Sequence, residues 1–207
     1  GIEMEAAVLG YSVSIFLING DISRKYSDIM MRRFAGLINL SNIPYTDKLQ
    51  NSLLRSGAKL VCFDEKNGSE VGFDASSSIR EFMKIVRDLG HKKVSFAVGY
   101  SENVAMQDAR VRTFLNAYND FGFEDHPYKC IYGKFPEVSS EQNGRNAVFY
   151  SLEHNNEATA MFAINDMTAL GIISELQRNG IRVPEDVSVI GCDGINLGEI
   201  INPRIAT

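Results

Sequence analysis

The chain alternates between short, continuous apolar runs and longer segments whose apolar residues recur every three to four positions. Runs at 11–18, 36–40, 59–63, 93–98, 128–132, 159–164 and 187–192 have strand length and composition. Between them, 21–34, 44–56, 75–89, 107–121, 141–152 and 167–178 predict helices. The stripe Ile79, Phe82, Met83, Val86 and Leu89 is the clearest, and Gly57, Gly90, Gly122 and Gly180 stand where helices should stop. Strands that are apolar throughout, alternating with helices, describe βαβ units and a parallel sheet covered on both faces. The fold class is therefore α/β. A polar, turn-rich stretch at 66–70 suggests two lobes, although a single doubly wound domain tolerates such a break equally well.

Composition narrows the picture without changing it. Hydrophobic residues make up 44% and charged residues 23% of 207 positions, as in ordinary globular chains. With 26 acids against 21 bases the chain carries a net charge of −5, which gives no general attraction for nucleic acid. No apolar run approaches the ~20 residues that span a bilayer. Three cysteines, Cys62, Cys130 and Cys192, cannot all pair among themselves and lie in strand-like runs. They are expected to be reduced and buried, in a reducing compartment. The opening segment through Gly10 looks like the middle of a helix and 202–207 like a strand just begun, so the chain is expected to be a fragment cut at both ends.

Signals for catalysis are poor. The sequence has no GxSxG, no GxxxxGK[ST], no HExxH and no CxxC, and its three histidines do not cluster. His91 follows a helix-stopping glycine and is expected to be structural, while His126 and His154 are expected to be solvated. No cofactor and no metal are expected. The notable polar residues close strands: Asp64 after the third run, Asn165 and Asp166 after Ile164, Asp193 after Cys192. In open α/β sheets, ligands bind outside the carboxyl ends of the strands. Carboxylates and amides there suit a neutral, polyhydroxyl small molecule. Asp166 precedes a helix and is expected to cap it; for Asp64 and Asp193 a ligand role and a structural one stand open alike.

The order of several motifs resembles the LacI/GalR-type transcriptional regulators. Arg182-Val183-Pro184-Glu185-Asp186-Val187-Ser188-Val189-Ile190-Gly191-Cys192-Asp193 resembles the family's "VPEDVSVIGFDD" segment, and Phe162-Ala163-Ile164-Asn165-Asp166 its "FAxND". Leu89-Gly90-His91-Lys92-Lys93 resembles "LGHRR". Arg110-Val111-Arg112-Thr113-Phe114 resembles "RxxGF", with Thr113 in place of glycine. Phe63-Asp64-Glu65, Val71-Gly72-Phe73-Asp74 and Ala35-Gly36-Leu37-Ile38 resemble shorter family segments, and the likeness covers nearly the whole chain.

The resemblance implies two Rossmann-like lobes of the periplasmic-binding-protein-like type, with the first lobe incomplete. The first lobe would occupy 1–73, the second 74–201, and 202–207 would begin the return to the first. It implies an effector, a sugar or sugar derivative by default, gripped between the lobes by Asp64, Arg110, Asn165 and Asp193, with Phe135 supplying an aromatic face. Asp74 would mark the lobe crossover. Purine-binding members carry an arginine and a threonine where this chain has Val104 and Met106, which weakens a purine reading. A cytoplasmic homodimer that binds operator DNA through an N-terminal helix-turn-helix outside this chain is implied, with no membrane partner. An exported sugar-binding protein of a transporter is the rival reading.

Overall fold

The computed structural model describes residues 1–15, 34–39, 55, 57, 59–62, 69–70, 74–135 and 137–207. Contacts divide the chain into two units, Gly1–Phe73 and Asp74–Thr207. In the first, helix α1 (Ile2–Val8) ends where Gly10 turns the chain at φ 78°. Three parallel strands, β1 (Gly36–Asn39), β2 (Lys59–Cys62) and β3 (Ser69–Glu70), pair in that order, with Leu37 beside Leu60 and Cys62 beside Glu70. Two expectations are corrected here. The stretch 66–70 ends in a strand, because Ser69 and Glu70 add to the edge of β2. Residues 11–15, expected to open a strand, have no regular structure. The rest of that run and the expected helix at 21–34, apart from Phe34, lie outside the described residues, as does nearly all of the helix at 44–56.

The second unit runs α2 (Ser76–Asp88), β4 (Val94–Ala97), α3 (Glu102–Ala105), α4 (Ala109–Asp120), β5 (Cys130–Ile131), α5 (Ser140–Glu153), β6 (Ala160–Ala163), α6 (Asp166–Arg178), β7 (Ser188–Ile190) and α7 (Leu197–Ile200). Its four strands are parallel in the order β5-β4-β6-β7. This is the α/β architecture that the alternation predicts. Central strands with both faces buried are continuous apolar runs because every residue meets a helix. On β6, Phe162 faces α2 and α4, whereas Met161 and Ala163 face α5 and α6.

Of the α2 stripe, Ile79, Met83 and Val86 are buried at helical spacing and Phe82 packs half-buried against them, whereas Leu89, expected in the same stripe, is exposed because the helix ends before it. On the same side Phe114 is fully buried, with its ring 5.0 Å from Phe96, 5.5 Å from Phe162 and 5.7 Å from Tyr118. Burying a side chain of this size contributes ~3 kcal/mol. On the other side α5 and α6 approach until their backbones touch. A Cβ on Gly171 would stand 2.0 Å from the Glu141 carbonyl oxygen, and one on Gly144 2.1 Å from that of Thr168. The segment after α7 packs on this same unit, which corrects the expectation that 202–207 begin a return to the first lobe: Ala206 bridges Ile190, the Gly191 N–H donates to the Ala206 carbonyl at 2.8 Å, and Ile205 is buried in the α5–α6 core.

Candidate functional site

The carboxyl ends of β4, β6 and β7 and the start of α4 form one rim. Asp108 caps α4, its Oδ1 accepting the Arg110 N–H at 2.8 Å. The capping position brings the Arg110 side chain back over its own cap. Nε donates to Asp108 Oδ1 at 3.1 Å and Nη2 to Oδ2 at 2.7 Å. Nη1 reaches across the sheet to the Ile164 carbonyl at 2.8 Å, fixing the guanidinium beside the end of β6. Burial alone would lower the pKa of Arg110 and raise that of Asp108. The ion pair overrides burial in both, so Arg110 titrates above and Asp108 below its ordinary range.

Asn165, which follows β6 and Ile164, caps α6. Its Oδ1 accepts the Thr168 N–H at 2.8 Å, and its Nδ2 donates to Ser140 Oγ at 3.3 Å. This corrects the expectation that Asp166 is the cap. Asp166 is instead fully buried, with Oδ2 accepting the Ile195 N–H at 2.8 Å. Asp193 follows β7 at φ 131°, an unusual value for a side chain-bearing residue. It is exposed, and its carboxyl is raised by partial burial and by the Asp166 carboxylate, with Arg110 opposing. Cys192 beside it is also raised by burial, while Arg110 pulls the other way.

Phe135 is brought to this rim by the loop after β5. Its N–H donates to the Gly99 carbonyl at 2.9 Å, and the Gly133 N–H to that of Tyr100 at 2.8 Å. Gly133 has no room for a side chain, since a Cβ would lie 2.4 Å from Asn143 Oδ1 and 2.6 Å from the Gly99 carbonyl oxygen. Asn143 secures the loop by accepting from the Lys134 N–H and donating to the Val138 carbonyl. The Phe135 ring, 46% exposed, stands edge-on to Tyr100 at 5.6 Å.

Four of the five residues singled out in the sequence, Arg110, Phe135, Asn165 and Asp193, therefore lie along this carboxyl edge. Asp64 lies outside the described residues. Sequence reading missed Asp108, Tyr100 and Asn143. Asp108 carried a legible signal, an aspartate just ahead of an apolar-periodic helix, whereas Tyr100 and Asn143 matter only through loop geometry. The other expectations divide. His126 is corrected: it is buried, with Nε2 3.0 Å from the Val94 carbonyl oxygen, because the loop after α4 folds under the sheet. His91 bonds Thr159 Oγ1 at 2.8 Å, a structural role, and His154 is exposed. Cys130 and Cys192 are free but half-buried rather than buried, since both stand at strand ends; the Cys62 side chain lies outside the description. Among the described residues no group of three or more acidic, histidine or cysteine side chains could hold a metal, and no helix is long and apolar enough to cross a membrane.

Comparison with known proteins adds a family. The model of the periplasmic binding protein-like domain matches residues 84–207, which include Arg110, Phe135, Asn165 and Asp193 but not Asp64. The HTH-type transcriptional repressor PurR of Aliivibrio fischeri is 36% identical over 118 residues, 57% of this chain and 34% of that protein. The repressor of the same name from Photobacterium profundum is 26% identical across the whole chain and 63% of its own length. The chain thus spans less than two thirds of these relatives. A LacI family transcriptional regulator from Enterococcus faecium, solved with bound ribose, matches 100% of this chain and 76% of its own. Its TM-score is 0.81 and its identity 25%.

Proposed function

The chain belongs to the periplasmic binding protein-like domain family, and on that premise we propose that it is the effector-binding core of a LacI-type transcriptional regulator. In this reading a lobe made by 1–73 and a lobe made by 74–201 enclose a sugar or sugar derivative. The observation that carries it is the convergence of Arg110, Asn165 and Asp193 on one rim beside the exposed Phe135 ring. A guanidinium donates, a carboxylate accepts, an amide does both and a ring covers an apolar sugar face, which is the complement of a polyhydroxyl ligand. Asp64 completes the grip from the first lobe.

The protein binds rather than transforms its ligand, works as a cytoplasmic homodimer and contacts operator DNA through an N-terminal helix-turn-helix that is not among these 207 residues. Effector shifts the DNA-competent state only by binding one lobe arrangement better than the other. Calorimetry with neutral sugars, sugar phosphates and purine bases tests the reading. At least one sugar should bind unchanged, and Arg110→Ala should weaken it by ~1–3 kcal/mol through lost charge-assisted hydrogen bonds. Turnover of the sugar, tighter binding of a purine base, or an affinity indifferent to Arg110 would each overturn it. Sedimentation of the full-length protein as a monomer at micromolar concentration would overturn the dimer.

A further inference from the structure

The start of α4 has the makings of an anion seat. Its free backbone N–H groups and helix dipole favour negative charge, and the Arg110 guanidinium stands over it. The chain fills that seat itself. Asp108 Oδ1 takes both the Arg110 backbone N–H and Nε, and Oδ2 takes Nη2 at 2.7 Å. The two side chains are only 21% and 19% exposed, so solvent screens the pair weakly. Arg112, the other cation acting on Asp108, turns its Nη1 to the carbonyls of Met106 and Gln107.

We propose that Asp108 is a specificity residue: it occupies the place an anionic group would take at Arg110, so the site admits an uncharged, hydroxyl-bearing ligand and rejects its phosphorylated or carboxylated counterpart. The inference rests on the reading above that Arg110 faces the effector. A guanidinium has five N–H groups, and three are used by Asp108 and the Ile164 carbonyl. The remaining one on Nη1 and one on Nη2 can donate to a hydroxyl, which needs no net charge. A phosphate would have to displace a carboxylate already fixed in place by its own backbone. Asp193 feels both Arg110 and the Asp166 carboxylate, so a phosphate at Arg110 would also meet like charge there.

Inorganic phosphate is the probe, because its binding can be read without knowing the effector. Thermal shift and calorimetry on the full chain should show no saturable phosphate binding that depends on Arg110. Asp108→Asn and Asp108→Ser keep a capping acceptor for the helix. Either should raise phosphate affinity at least about tenfold, and adding Arg110→Gln should abolish the gain. Saturable phosphate binding by the wild type that Arg110→Gln removes would overturn the proposal. So would Asp108 variants that are folded by circular dichroism and gain nothing. For any sugar that binds, the wild type should prefer it to its phosphate ester at least about tenfold, and the reverse preference would also overturn it. If no sugar binds at all, the functional reading fails while the phosphate result still decides the role of Asp108.

Discussion

The Asp166 carboxylate accepts the backbone N–H of Ile195 at 2.8 Å, so one fully buried side chain at the head of α6 sets the turn that carries Asp193. The Asp166 N–H donates to the Cys192 carbonyl at 2.9 Å, closing the same turn from its other end. A Cβ on Gly191 would lie 2.1 Å from Asp166 Oδ1, so the strand passes directly over the carboxylate. Asp193 is thereby held at φ 131°, where side chain-bearing residues are strained and persist only when neighbours over-determine them. Asp166→Ala should cost ~1–3 kcal/mol by leaving the Ile195 N–H unpaired. Urea unfolding would show it as a lower midpoint, and the effector affinity should fall with it. An unchanged midpoint would show that the turn holds itself.

The thiols should be slow. Burial pushes Cys130 up to about 11, and raises Cys192 against the pull of Arg110. Because the thiolate is the nucleophile, little of either is reactive near neutrality. An aromatic disulfide reagent followed by peptide mapping should label both sites slowly in the native protein and quickly after unfolding. The rate at Cys130 should keep climbing toward about pH 11. Rapid native labelling of either site at neutral pH would refute the assignment.

Much of this was legible because the signals are local. Ile79, Met83 and Val86 of the α2 stripe and the continuous apolar runs of β4 and β6 encode burial directly, and the rim residues follow from the rule that sheet ligands gather at strand carboxyl ends. What escaped depends on contacts distant in sequence. His126 sits in a polar-looking stretch, yet the loop tucks it against Val94. Ser69 and Glu70 look like turn residues, and only pairing with β2 makes them a strand. Asp166 has the chemistry of a cap, but so has the adjacent Asn165, and it is Asn165 that has the extended backbone capping requires. The short helices α3 and α7 have too few turns for a period to register.

Helix packing on the α5–α6 side should tolerate no added methyl. Gly171→Ala would place a carbon 2.0 Å from the Glu141 carbonyl oxygen, which is backbone and cannot rotate away. The helices must separate, at ~1–3 kcal/mol or more for an overpacked contact. Chemical unfolding should show the loss, whereas alanine at the exposed Asn146 of α5 should leave stability within ~0.5 kcal/mol. Equal stabilities would mean that the helix pair slides at little cost.

Stability should fall as the solution is acidified below the ordinary histidine range. Burial lowers the pKa of His91, and burial together with Lys93 and Lys129 lowers that of His126. The unfolded chain therefore binds protons that the folded chain refuses. The stabilisation is complete above the unfolded value of ~6.5 and is lost as pH falls toward the depressed folded values. Urea unfolding at a series of pH values from about 8 downward should show the decline, and His91→Asn with His126→Gln should flatten it. A wild-type stability that rises between about pH 6.5 and pH 5.5 would reverse the assigned sign.

Protection against amide exchange should divide at the boundary between the two units. Every described residue classed as buried lies in 74–207; in 1–73 the described side chains are exposed or half-buried, with Ile38 of β1 at 47% and α1 burying none of its residues. Slow exchange requires that opening expose a large apolar area, because the cost of opening is what protects the amide. Phe162 in β6 and Phe114 in α4 sit in a core closed on both faces of the sheet, so the amides of β4, β6 and α4 should open only with the whole second unit. The amides of β1 and β2 are hydrogen-bonded in a parallel sheet but lack that described cover, and should exchange at lower cost. Mass-resolved exchange on this chain should show long-lived protection in peptides covering 94–97, 109–120 and 160–163, and faster exchange in those covering 36–39 and 59–62. Equal protection in both groups would mean that the first unit has a core as complete as the second.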